Sequence, residues 1–212
     1  MGLMARSGSS STARLILPLL LVALAGCDAA EEGPPQPPDP LTPEEATVAT
    51  QVGAPAAGAL AEELVGRLSH AIDEEGLAGA VDFCADVAIP LTQQVEDRFD
   101  PPLGLKRATL RARNPDNAPD EYEERLLHYL AALEERDPEG VPAELTARGP
   151  EGSLRYYRLL RAAPMCLNCH GDVETMDPEV RELLRERYPD DQATGYQAGE
   201  LRGVIRVEVP QG

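Results

Sequence analysis

Met165-Cys166-Leu167-Asn168-Cys169-His170-Gly171 is the stretch around which the rest of this chain is organised. Two thiols separated by two residues and followed at once by an imidazole form the attachment pattern of a c-type haem. In that chemistry each cysteine sulfur bonds covalently to the porphyrin, and the adjacent histidine binds the iron from one side. The motif therefore predicts one haem c, covalently attached through Cys166 and Cys169, with His170 as an axial iron ligand.

Two other sites use a bare Cys-x-x-Cys pair, namely zinc sites and redox-active dithiols. A zinc site would need two further ligands nearby, and the nearest other cysteine in the sequence is Cys84. A dithiol usually lies on a βα unit of a thioredoxin-like fold, which the order of elements here does not suggest. The histidine after the second cysteine favours haem over both.

The composition is strongly acidic. The 212 residues carry a formal net charge of −18, and without residues 1–26 the balance becomes 17 basic against 37 acidic residues. Such a surface repels nucleic acid and favours a redox partner with a basic docking patch, although solubility alone also explains it. With two Phe, six Tyr and no Trp, the core has few bulky aromatic groups, and a buried porphyrin would supply that missing surface.

The amino terminus reads as an export signal. Arg6 and Arg14 precede the apolar run Leu15–Ala25, which is too short for a permanent membrane span. The following Leu24-Ala25-Gly26-Cys27 resembles a bacterial lipobox, so Cys27 is the expected lipidation site. Ordinary signal cleavage, leaving Cys27 as a free thiol, remains the alternative. Either reading places the protein on the periplasmic side of a bacterial cell envelope, and lipidation would anchor it to the inner or the outer membrane.

Proline density predicts a tether after the signal. Residues 28–43 contain six prolines, which favour extended polyproline II with a reach of roughly 50 Å. We expect three regions: signal and lipidation cysteine (1–27), Pro-rich acidic tether (28–55) and haem domain (56–212). A short helical turn over 44–52 is expected to break at Gly53 and Pro55.

Apolar periodicity predicts an α+β fold with a small antiparallel sheet and helices around it. Gly76 should end the first helix, and Pro90 should open the second, whose apolar stripe includes Cys84. The region between residues 137 and 152 reads as a loop. The expected helices are 56–75, 77 onward, 120–135 and 178–188, and the expected strands are 103–112, 154–160 and 201–209.

A second axial ligand is harder to identify. Met165 and Met176 have too little chain between them and His170 to reach the far side of the iron. His70 and His128 lie off the apolar stripes of their helices and are expected at the surface. Cys84 lies in mid-stripe and is a candidate, but a core cysteine without special chemistry fits the same pattern, as does a disulfide to Cys27 if that thiol is free.

Several motifs outside the haem site resemble those of a known family. They occur in one order over about residues 60–210: Cys84 within Ala80–Ile89, Arg111–Pro119, Cys166–Gly171, Tyr188–Tyr196 and Gly199–Gly203. Together they are similar to the exported single-haem c-type domains with a PAS-like fold. The resemblance implies a PAS-like sheet enclosing one haem and makes Cys84 the second axial ligand, because family members can take a cysteine from the amino-terminal helix.

The remaining site candidates are basic or aromatic. Arg107, Arg111 and Arg113 could bind haem propionates, with Arg113 favoured because it begins the family-like turn, or they could pair with acids elsewhere. Tyr196 could line the pocket or simply pack. Asn114 and Asn117 are expected to brace the turn.

The expected function is electron transfer at low reduction potential, through a soluble or membrane redox partner, with no enzyme activity. A redox or gas (NO or CO) sensor acting through a separate protein is the alternative. A c-type enzyme would generally need an open iron site or a second haem, and the sequence has one attachment motif.

Overall fold

The computed structural model describes residues 1–2 and 35–210, and the rest of the expected signal sequence, Cys27 and the start of the expected tether lie outside that range. The chain divides into two units, 1–33 and 34–212, and every element below belongs to the second. Within the described residues no helix is long and apolar enough to cross a membrane. The helices are α1 (Pro43–Asp86), α2 (Ala88–Glu96), α3 (Glu121–Arg136), α4 (Leu167–His170) and α5 (Pro178–Arg187), and the strands are β1 (Gly104–Ala108), β2 (Glu144–Arg148), β3 (Leu154–Arg161) and β4 (Leu201–Val209).

The strands form one antiparallel sheet in the order β1-β4-β3-β2, with helices packed on both faces. On one face, Tyr156, Ile205 and Val207 pack against Leu60 of α1 and Val95 of α2. The opposite face packs against three buried leucines of α3, Leu126, Leu127 and Leu130. The predicted α+β class with a small antiparallel sheet is confirmed, and the arrangement is consistent with a PAS-like fold.

Helix α1 begins earlier than the sequence suggested. Thr42 and Glu45 form a reciprocal capping box, and Pro43 occupies the first turn, where its missing N–H is tolerated. The expected break at Gly53 and Pro55 is wrong, and the expected boundary at residues 55/56 falls inside α1. Pro55 is exposed, so the carbonyl that it leaves unbonded can be hydrated.

Gly53 is a contact residue rather than a helix breaker. A Cβ on Gly53 would lie 2.3 Å from the Cβ of Tyr156 on β3, so only glycine lets the helix approach the sheet this closely. Helix α1 therefore contacts the sheet at a position three residues before the expected start of the haem domain at residue 56.

Two interruptions divide the carboxyl-terminal part of α1 and α2. Gly76 has φ 75° and ψ −175°, which kinks α1 as its sequence position predicted. The helix stops at Asp86, four residues before Pro90, because the proline ring excludes the carbonyl of residue i−4 and has no N–H to bond it. The segment 77–86, which carries Cys84, is thus a short helix with a break at each end.

The two edge strands of the sheet differ from expectation. β2 lies within the region expected to be a loop, and β1 ends at Ala108 rather than at residue 112. Asn114 caps the following turn as expected, since its side chain accepts the backbone N–H of Asp116 at 2.9 Å. β1 ends, β3 ends and β4 begins at the same end of the sheet, and the Cys-x-x-Cys-His motif follows β3 there.

Candidate functional site

The motif is built from a short turn and a single helical turn. Pro164–Cys166 forms a 3₁₀ turn, and α4 then carries Cys169 and His170. Both motif cysteines are free thiols and half-buried. The backbone N–H of Gly171 donates to the carbonyl of Leu167 at 2.9 Å, and a Cβ on Gly171 would lie 2.6 Å from that oxygen. Glycine therefore allows the helix to end immediately after the histidine.

His170 is held as a neutral imidazole. Its Nδ1 lies 2.7 Å from the carbonyl oxygen of Ala193, and because a carbonyl can only accept, Nδ1 carries the proton. Nε2 then keeps its lone pair for a metal. Burial, reinforced by the charge of Arg113, lowers the pKa of His170 to about 3, so the imidazole stays uncharged at neutral pH.

The loop that supplies Ala193 is joined to the motif by backbone hydrogen bonds. Gly195 donates to the carbonyl of Gly171 at 2.7 Å, and Tyr196 donates to the carbonyl of His170 at 2.9 Å. The Tyr196 ring meets the imidazole edge-on, with 6.4 Å between the ring centroids. The orientation of His170 is thus set by residues 193–196.

Cys84 comes close to the motif from a distant part of the chain. Its thiol is half-buried, burial raises its pKa, and the nearby charges of Arg113 and Arg107 act in the opposite direction. Cys84 adds to the rise in the pKa of Cys169, and Cys166 adds to the rise in the pKa of Cys84. One helical turn before Cys84, Val81 belongs to an apolar cluster against which Cys169 packs.

The other potential ligands lie in less suitable positions. His70 is exposed, and the side chain of His128 is 57% exposed, so both are surface histidines. Met176 is buried in the same apolar cluster as Val81, and Met165 is half-buried inside the motif. The described part of the chain contains no group of three or more His, Cys, Asp or Glu that could hold a metal ion alone. Haem iron needs no such group, because the porphyrin supplies its equatorial ligands.

Arg113 and Arg111 both have partners within the protein. Arg113 donates to Asp191 at 3.0 Å and to the carbonyl of Cys169 at 2.5 Å. Arg111 donates to the carbonyl of Thr194 at 2.7 Å and pairs with Glu200 at 3.3 Å. Its guanidinium also stacks on Tyr196, 3.5 Å from the ring centroid.

Arg107 differs from the other two candidate arginines, because one of its nitrogens is buried without an acceptor. Its buried Nε has no hydrogen-bond acceptor, and across residues 35–210 no carboxylate pairs with its guanidinium. Burial lowers the pKa of Arg107, while the nearby Cys84 thiol works against that shift. A buried guanidinium nitrogen without an acceptor, on an arginine near Cys84, suits an anionic group such as a haem propionate.

Sequence reasoning missed two residues of this site. Asp191 is the acid that binds Arg113, and Arg202 donates to Thr109 and to the backbone carbonyl of Arg111. Both residues lie in the two family-like stretches nearest the carboxyl terminus. The sequence around them does not show that Asp191 pairs with Arg113 or that Arg202 bonds to the backbone of Arg111.

Comparison with known proteins places the chain in a family. Its profile, described as Tll0287-like, matches residues 29–210. A solved structure described as "Crystal structure of the cyanobacterial heme-protein Tll0287" is 25% identical and aligns with a TM-score of 0.46, covering 70% of this chain and 96% of that one. No curated protein matches the chain. On the extent of the profile match, the chain belongs to the Tll0287-like family.

Proposed function

We propose that this chain is a c-type haem protein of the bacterial cell envelope that transfers electrons at low reduction potential. The observation that carries the proposal is the histidine of the attachment motif, whose Nδ1–H is bound to Ala193 so that Nε2 is free for iron. The family is named after Tll0287, whose crystal structure is described as that of a heme-protein, and this supports haem binding here.

The residues present fit one haem. Cys166 and Cys169 would hold it covalently, and His170 would bind its iron from one side. The unsatisfied Nε of Arg107 is a ready donor to a propionate. When bound, haem supplies an iron that accepts or gives up one electron.

We assign the second axial position to Cys84, because its thiol reaches the same site from α1. A thiolate donates electron density and stabilises ferric iron, so the reduction potential should be low. The Tyr196 ring meets the His170 imidazole edge-on and so lines this side of the site.

Arg111 and Arg113, which the sequence suggested as propionate partners, are engaged by Glu200 and Asp191. In this proposal both arginines stabilise the backbone around the haem site, since they donate to the carbonyls of Thr194 and Cys169. A propionate contact from either arginine would have to compete with its internal acid.

The setting follows from the sequence outside the described residues. A signal ending in a lipobox-like Cys27 supports export and lipidation, and c-type attachment fits an exported protein. The acidic surface supports a redox partner with a basic patch. Mass spectrometry of the mature amino terminus tests the anchor: an acylated Cys27 supports it, and an unmodified one rejects it.

A redox or gas sensor is the second candidate, and one observation favours it. Cys84 lies on the segment 77–86, which is bounded by the Gly76 kink and the break at Val87. These two breaks mean that no continuous run of helical hydrogen bonds ties the segment to the rest of α1 or to α2. Movement of Cys84 away from the iron would open a position for NO or CO, and a separate partner protein would have to read the change.

Stopped-flow reduction combined with NO and CO titration separates the two candidates. Fast electron exchange without gas binding supports the carrier. Tight gas binding to the reduced protein supports the sensor. No haem on the purified exported protein would reject both.

A further inference from the structure

Arg113 and Asp191 form a nearly buried ion pair next to the backbone that surrounds His170. Their side chains are 7% and 12% exposed, and the Nε of Arg113 donates to Asp191 at 3.0 Å. Burying two charges costs free energy, and further hydrogen bonds are needed to offset that cost. The other hydrogen bonds of Arg113 and Asp191 therefore show which parts of the site the pair connects.

Those contacts lead to the acceptor of His170. The second carboxylate oxygen of Asp191 accepts the backbone N–H of Ala193 at 2.8 Å. The terminal nitrogen of Arg113 donates to the carbonyl of Cys169 at 2.5 Å and approaches that of Ala193 at 3.4 Å. The pair therefore binds both the backbone N–H and the backbone carbonyl of Ala193, and it binds the motif through the carbonyl of Cys169.

The consequence for His170 follows from the chain of contacts. The carbonyl of Ala193 accepts from Nδ1 at 2.7 Å, which fixes the tautomer and the plane of the ring. A ligand histidine bound in this way to a carbonyl is a stronger donor to its metal, and losing such an outer contact typically weakens metal binding roughly 10–100-fold.

We propose that Arg113 and Asp191 are positioning residues that place the Ala193 carbonyl and thereby orient the His170 imidazole toward the iron. This rests on the proposed haem function. It also assigns Arg113 a task other than propionate binding, since its donors are already directed at Asp191, Cys169 and Ala193.

The test uses the exported, haem-loaded protein with Arg113→Lys and Arg113→Gln. Lysine keeps the positive charge but cannot reproduce the planar fork that reaches an acid and two carbonyls together. Both variants should broaden or split the ferric EPR signal. Both should also change the ratio of ferric to ferrous protein at fixed potential by about tenfold, or about 59 mV for one electron.

Asp191→Asn should act in the same direction, and the double variant Arg113→Gln/Asp191→Asn should change the signal by less than the sum of the two single changes. The matched control is Arg155→Gln. Arg155 is 3% exposed and pairs with Asp120 and Glu208 near the opposite end of the sheet. Its loss should lower the melting temperature and leave the EPR signal unchanged.

Several results would overturn the inference. If the lysine variant behaves as wild type, charge alone matters and the geometry does not. If the glutamine variant alters only the propionate bands in resonance Raman spectra, Arg113 holds a propionate. A wild-type protein without haem would instead reject the proposed function, so the two failures are distinguishable.

Discussion

Replacement of Gly53 by alanine tests the packing of α1 on the sheet. The added Cβ would lie 2.3 Å from the Cβ and 2.5 Å from the Cγ of Tyr156, a residue with no exposed surface. Ordinary carbon contacts are about 3.5–4.0 Å, so helix and strand must separate by roughly 1 Å or more. Overpacking of this kind costs about 1–3 kcal/mol.

Gly58→Ala is the matched control in the same helix. No atom lies within 4 Å of a Cβ built there. Alanine in a helix interior is about 0.5–1 kcal/mol more stable than glycine, and both variants share that gain. The difference between them therefore isolates the clash, at about 1–3 kcal/mol.

Thermal unfolding followed by circular dichroism measures that difference. For a chain of this size 1 kcal/mol shifts the melting temperature by about 2–4 °C, so the two variants should differ by roughly 2–12 °C. Gly58→Ala should melt above wild type and Gly53→Ala well below Gly58→Ala. If both variants rise together, α1 does not pack on β3 at Gly53.

Cys84→Ala should change the ferric absorption spectrum and raise the reduction potential, because a thiolate donor is lost; an unchanged spectrum would remove Cys84 from the iron. The carboxylate of Glu123 is fully buried and pairs with Lys106 at 3.0 Å and with Arg206 at 2.9 Å. Glu123→Ala should therefore lower the free energy of unfolding in urea by about 3 kcal/mol. A loss below about 1 kcal/mol would contradict the buried pairing. In the haem-free chain the native pKa of His170 is lowered to about 3, so between pH 6.5 and 3 the unfolded chain binds a proton that the folded chain does not; stability present above pH 6.5 should therefore be lost as the pH falls toward 3. Urea unfolding at pH 7, 6 and 5 measures this, and equal stability at all three would contradict it.

Local patterns predicted the elements whose signals are strong. β4 matches its expected bounds because its apolar alternation is long, and α5 ends one residue from expectation. The interruptions at Gly76 and before Pro90 follow from single residues with restricted or unusual backbone geometry. At β2, by contrast, five residues with two apolar side chains give too little pattern to identify an edge strand.

The start of α1 could have been read from the capping box at Thr42 and Glu45. Gly53 and Pro55 instead suggested that the helix is broken there. A single sequence does not distinguish a glycine that breaks a helix from one that allows close packing. The site divides in the same way. The attachment motif is enough to identify the two thiols and the histidine from the sequence. The pairing of Arg113 with Asp191 and the unsatisfied Nε of Arg107 depend on tertiary contacts, which the sequence does not reveal.

The most direct measurement of the central claim is the intact mass and absorption spectrum of the chain exported by a host that matures c-type cytochromes. Covalent attachment predicts one haem per chain that survives denaturation and is lost when Cys166 and Cys169 are both replaced by serine. A colourless chain with the mass of the bare polypeptide would contradict it.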